Sequence, residues 1–250
     1  MLALGLAPQV ARAEETRADA ELGLTFRWAR EAERLPAQGL ACGAPYLEEV
    51  EAAMPPVRTI LQGYGREVLA RMGLRTVRLC RELVVRFASA DERRIDGALE
   101  RRTEQAVGGL AVYAEATIYV DVAAALRGQA LTTVMEHELF HFVDQVLVDA
   151  TFGDAWSALN PPGFRYGGGG LAAMGTEALL PSEHPGFATT YARTAAAEDR
   201  AELYAAWRTD PAALAERLPK DPVLSGKLRL LERQLRAKLP ALAARVPKIP

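Results

Sequence analysis

Two of the chain's three histidines, His137 and His141, stand four residues apart in "TTVMEHELFHFVDQVLV", with Glu138 directly after the first. On a helix, residues four apart lie one above the other on the same face, so both rings can direct a nitrogen at one ion. Glu138 sits beside that pair, placed to take a proton from a water held next to the ion. The chemistry this points to is hydrolysis at Zn2+. A catalytic zinc takes three protein ligands and leaves one position open. The extended form H-E-x-x-H-x-x-G-x-x-H is absent, because Asp144 and Leu147 occupy its last two fixed positions. The third ligand must therefore come from a distant segment. The best candidate is Glu198 in "AEDRAE", with Glu202 one turn later to accept the other ring N–H of a ligand histidine and fix its tautomer. The competing reading of these two glutamates is a solvated acidic helix face.

These residues need elements to position them. The motif falls on a helix expected from about Leu131 to Val148, with Val134, Leu139, Phe142, Val146 and Leu147 available for the core. Before it, "LAVYAEATIYVDV" alternates as one strand: Leu110, Val112, Ile118 and Val120 share a face, and Tyr113 and Glu115 share the more polar one. If that strand is a sheet edge, a peptide could pair with it. Val77, Leu79, Leu83, Val85 and Phe87 predict one strand or two short ones, and "SADERRIDGALERRTEQ" reads as a connection. Between Tyr46 and Met72 the spacing is helical, cut in two by Pro55 and Pro56, and the second helix ends near Gly73. "NPPGFRYGGGG" reads as a loop roofing the cleft; helical spacing returns with Ala201, Leu203, Tyr204 and Trp207, then in a Pro-bounded C-terminal pair carrying Leu224, Leu228, Leu231 and Leu235.

The order of a Tyr-Val-Asp strand, "TTVMEHELFHFVDQ", a loop with "LNPPGFRYG" and then "GFATTYARTAAAEDRAE" resembles the zinc-binding metallopeptidases related to the catalytic domain of anthrax lethal factor. The resemblance spans residues 46–208 or so. It implies an α+β, zincin-like fold: a mixed twisted sheet packed on the helix that carries H-E-x-x-H, with additional N- and C-terminal helices. It also implies Glu198 as the third zinc ligand, Glu202 as the partner of a ligand histidine, and a peptide or protein substrate. A tyrosine one to two turns before the glutamate, here Tyr191, would stabilise the oxyanion of the tetrahedral intermediate. The chain departs from the family at "ARTAAA", where a Gly-x-Thr-Asn-Pro type of link is usual.

Composition narrows the rest. With 250 residues, half of them hydrophobic, the chain can bury one sizeable core, which assigns 21–250 to a single domain and leaves 1–20 as a residual signal segment or a disordered N-terminus. Thirty basic against 32 acidic residues, a net charge of -2, leave no electrostatic footprint for nucleic acid. The apolar runs stop short of the about 18 residues that a membrane span needs. "MLALGLAPQVARAEE" resembles the tail of a secretory leader, which favours a secreted or periplasmic protein. Cys42 and Cys80 would then form one disulfide; two buried thiols are the alternative. His184 is an alternative ligand or an exposed loop residue, and Asp144 a hydrogen-bond acceptor behind the site or a surface charge. Two functions compete with a peptidase: a non-catalytic binding module on a zincin scaffold, and a zinc hydrolase of a non-peptide amide. Retention of Glu138 argues for catalysis, since a purely structural ion needs no base beside it.

Overall fold

The computed structural model describes residues 14–35, 39–95, 98–124, 130–167 and 185–249. It begins with a hairpin of β1 (Glu14–Asp19) and β2 (Leu24–Ala29), then a second of β3 (Glu33–Leu35) and β4 (Leu40–Gly43). Strand β1 thus lies inside the segment that the sequence reading set apart as 1–20; residues 1–13 fall outside the described residues.

Helix α1 (Leu47–Tyr64) runs straight through Pro55 and Pro56, correcting the expected break. Both prolines are exposed, while Val50, Ala53, Met54, Val57, Leu61 and Tyr64 are buried along one continuous stripe. Carbonyls freed by the missing N–H groups can turn to water there, so packing of the apolar face outweighs the helix-breaking tendency. The chain breaks at Gly65 instead, where φ is 78°, before α2 (Arg66–Arg71) and the left-handed Gly73.

Strand β5 (Thr76–Ile95) is the axis of the sheet. Its first residues pair in parallel with β2 on one side and with β8 (Thr117–Asp121) on the other. From Arg81 on, next to Glu82 with its φ of 57°, β5 pairs antiparallel with β4, and from Val84 on with β6 (Ala98–Ala106). The expected connection "SADERRIDGALERRTEQ" is therefore mostly the two arms of a hairpin. Its register runs from Val84 opposite Ala106 to Ile95 opposite Ala98, with an irregularity between Arg86 and Asp91. The disulfide Cys42–Cys80 joins β4 to β5.

A second correction concerns "LAVYAEATIYVDV", which is two strands rather than one. Strand β7 (Gly109–Val112) and β8 form an antiparallel hairpin around a 3-10 turn at Tyr113–Glu115 and a left-handed Ala116, with φ of 52°. Alternation continues through such a turn without a glycine or proline to announce it, so periodicity alone cannot separate the two cases. Every residue of β8 is buried, and Tyr113 and Glu115 lie in the turn. Among the described strands β7 pairs with β8 alone.

Helix α3 (Leu131–Leu147) carries the motif and packs on β7, α1 and α5 (Ala196–Thr209). Helix α4 (Ala150–Ala158), α6 (Pro211–Arg217), α7 (Pro222–Lys238) and the short α8 (Pro240–Ala243) complete the described fold. Aspartates start three of them: Asp149, Asp210 and Asp221 each accept a backbone N–H of the first turn. Leu139, Phe140 and Val143 of α3 share one core with Val57 and Leu61 of α1, Leu203 and Trp207 of α5, and Leu231 of α7. The architecture is α+β, a mixed sheet packed against the H-E-x-x-H helix. No described helix is long and apolar enough to cross a membrane.

Candidate metal centre

Helix α3 presents His137 and His141 on one face, and α5 brings Glu198 against them. The Nε2 atoms of the two histidines lie 3.1 Å apart, and Oε2 of Glu198 lies 3.1 Å from one and 3.5 Å from the other. A tetrahedral zinc with bonds of about 2.0–2.2 Å separates neighbouring ligand atoms by about 3.4 Å. The three atoms therefore already stand at the spacing of a shared ion. Glu198 Oε2 is buried and takes part in no hydrogen bond, an orphaned acceptor that a cation would satisfy. Among the described residues, this is the one group of such side chains close enough to hold a metal.

The tautomer fits as well. His137 Nδ1 lies 2.7 Å from Glu202 Oε1, which places a proton on Nδ1 and leaves the Nε2 lone pair for the ion. The other carboxylate oxygen of Glu202 accepts the Thr189 hydroxyl at 2.7 Å, so the whole group is fixed. Both glutamates lie on the same side of α5, four residues apart, and the solvated-face reading of the pair does not hold.

The electrostatics follow from burial and proximity. Burial alone would raise Glu198, yet the His137 and His141 rings beside it hold its carboxyl well below the usual range. Burial opposes ionisation of Glu202 too, and His137 outweighs it. Burial would strip the proton from His137, but Glu198 and Glu202 reverse this and raise its affinity for a proton well above that of free imidazole. Glu138 differs: burial raises its pKa, and the nearby histidines only partly offset this. A raised carboxylate suits a group that must both take and return a proton.

Strand β7 closes one side of the site. The backbone N–H of Ala111 donates to Glu138, and Gly109 passes so close that a Cβ there would lie 2.6 Å from Glu138 Cγ and 2.8 Å from Val134 Cγ1. A cleft of about 280 Å³ opens beside His137, Glu138 and Glu202, lined also by Val107, Thr133 and Tyr191. The Tyr191 ring lies 6.1 Å from that of His137, in the 3-10 turn Tyr191–Arg193 that leads into α5. Tyr113 stands at the far end of β7, its hydroxyl donating to the His141 carbonyl at 3.2 Å, and is 44% exposed. His184 and most of the glycine run lie outside the described residues.

Several residues of the site escaped the sequence reading. Asp144 is no surface charge: it is a buried acceptor behind the site, and its donor is Arg200 of α5, which the sequence did not point to, through two bonds of 2.7 Å. Asp199 is buried with Lys227 of α7 at 2.6 Å, and its Oδ2 also accepts Trp156 Nε1 and the Tyr166 hydroxyl. The signal was there in "EDRAE": consecutive charges on a helix whose neighbours, Ala201, Leu203 and Tyr204, are core residues. Gly109 gave no signal beyond its type.

No protein-family model matches the chain, and no curated protein matches it. Among solved structures, the chain aligns with the crystal structure of a candidate zinc-binding metallo-peptidase from Bacteroides caccae. The TM-score is 0.40 at 18% identity, covering 79% of this chain and 75% of that one. The functional reading of the site rests on its own geometry.

Proposed function

We propose that this protein is a zinc-dependent metallopeptidase of the zincin type with a glutamate as third ligand, the class that the lethal-factor resemblance implies. The observation that carries this reading is the convergence of His137 Nε2, His141 Nε2 and Glu198 Oε2 within 3.5 Å beside a buried Glu138. His137, His141 and Glu198 would hold the zinc, which when bound supplies Lewis acidity toward water and the substrate carbonyl.

The chain's own residues do the rest. Glu138 takes a proton from the water that attacks the carbonyl carbon, then delivers it to the departing nitrogen as the C–N bond breaks. Tyr191, on the wall of the same cleft, donates its phenolic hydrogen bond to the oxyanion. Glu202 keeps His137 in the tautomer that leaves Nε2 available. Strand β7, which among the described strands pairs with β8 alone, borders the cleft through Gly109 and could pair with an extended peptide, which favours a peptide over a compact amide substrate. The Cys42–Cys80 disulfide supports a place in an oxidising compartment, secreted or periplasmic.

The test is cleavage of a mixture of unstructured peptides by zinc-loaded protein, read by mass spectrometry, with Glu138→Gln as control. Cleavage by the wild type, reduced about 100- to 10,000-fold in the variant with zinc still bound, is the expected result. Equal cleavage by both would remove Glu138 from the mechanism.

A further inference from the structure

Behind the metal centre, α3 and α5 are joined by three rungs at successive helical turns. Glu136 accepts Arg208 Nε at 3.1 Å, the Phe140 and Tyr204 rings stack with centroids 4.7 Å apart, and Asp144 holds Arg200 by two bonds of 2.7 Å. The numbers rise by four on α3 and fall by four on α5, so the helices run antiparallel with each rung one turn from the next. The metal residues follow the same sense on the neighbouring face, His137 meeting Glu202 and His141 meeting Glu198.

We propose that this ladder sets the register between the two ligand-bearing helices, and that Arg200 is the positioning residue which places Glu198 on the metal. The inference rests on the metal-centre reading above. A slip of α5 by one residue would move Glu198 by about 1.5 Å and turn it by about 100°. Zinc–oxygen bonds tolerate a few tenths of an ångström, so such a slip empties the third ligand position. A slip by a full turn would bury an acid or an arginine without its partner, which is strongly unfavourable.

Arg200 is suited to the task for reasons that a bare charge would not meet. Its planar fork fixes both the distance and the orientation of α5 relative to Asp144. The guanidinium also sits 5.8 Å from the Phe152 and Trp156 ring centroids, so α4 holds it from behind. Arg200 and Asp144 are nearly fully buried, at 7% and 6% side-chain exposure. A buried ion pair adds little stability over apolar residues of similar size, so geometry accounts for its presence better than stability does. One residue earlier on α5, Asp199 and Lys227 anchor the helix to α7, leaving Glu198 next to two consecutive buried pairs.

The test compares zinc affinity, by chelator competition, and the visible absorption of the cobalt-substituted full chain. The proteins are wild type, Arg200→Lys, the double variant Asp144→Leu/Arg200→Met, and Glu198→Gln. The double variant should fold, lose about 10- to 100-fold in zinc affinity, and show an altered cobalt spectrum, with Arg200→Lys in between. A folded double variant with wild-type affinity and spectrum overturns the proposal. If the double variant does not fold, Arg200→Lys decides, since unchanged affinity and spectrum there overturn it equally. A wild type that binds neither metal sinks the metal-centre reading itself, and tight binding by Glu198→Gln sinks the choice of third ligand.

Discussion

Glu202 grips His137 through Nδ1 at 2.7 Å, and its second carboxylate oxygen is held by the hydroxyl of Thr189. A ring fixed this way cannot rotate its Nε2 out of the site, nor present a hydrogen there while it stays neutral. Glu202→Ala should therefore leave a folded protein that binds zinc about 10- to 100-fold more weakly. Chelator competition measures this. Unchanged affinity would reduce Glu202 to a bystander.

Gly109 lets β7 lie against Glu138, the proposed general base. Alanine there must push Glu138 or Val134 aside, since its Cβ would sit within 2.8 Å of both. Gly109→Ala is expected to lower peptidase kcat/KM and to cost about 1–3 kcal/mol of stability, the usual range for overpacking. Gly153→Ala in α4 is the control, because a Cβ there meets nothing within 4 Å. It should be neutral or stabilising. Urea unfolding of both variants reads the difference, and equal behaviour would mean that the strand adjusts freely.

How much of this was legible beforehand depends on the range of the interaction. His137 and His141 are legible because helical spacing alone puts them on one face with Glu138 beside them, whereas spacing left Glu198 and Glu202 open between a site and a solvated face, and only the family resemblance pointed to the site. The core stripe of α1 was legible too, but not its continuity through Pro55 and Pro56, which depends on those prolines facing water. The β7–β8 hairpin was hidden because Ala116 adopts a left-handed turn that its residue type does not advertise. Partners such as Asp144 with Arg200, or Asp199 with Lys227, are set by how helices cross, and one sequence carries no record of that.

Away from the candidate metal centre, Asp19 ties the β1–β2 turn to α1. Its partial burial would raise its pKa, but hydrogen bonds from Arg58 and from the Leu22 N–H lower it overall. A carboxyl whose folded pKa is depressed lends stability above its unfolded value, near about 3.9, and loses it as pH falls through the folded one. Stability should thus decline below about pH 4 more steeply in the wild type than in Asp19→Asn. Denaturation midpoints measured from pH 7 down to 3 check this; parallel curves would show that the contact has no net effect.

The central claim is one catalytic ion held by two helices, and the zinc content of the purified full chain tests it most directly. Elemental analysis of wild type beside Glu198→Ala, each after zinc addition and gel filtration, should give about one zinc per chain in the first and near none in the second. A folded wild type that retains no zinc, or a Glu198→Ala variant that retains as much, would contradict the account.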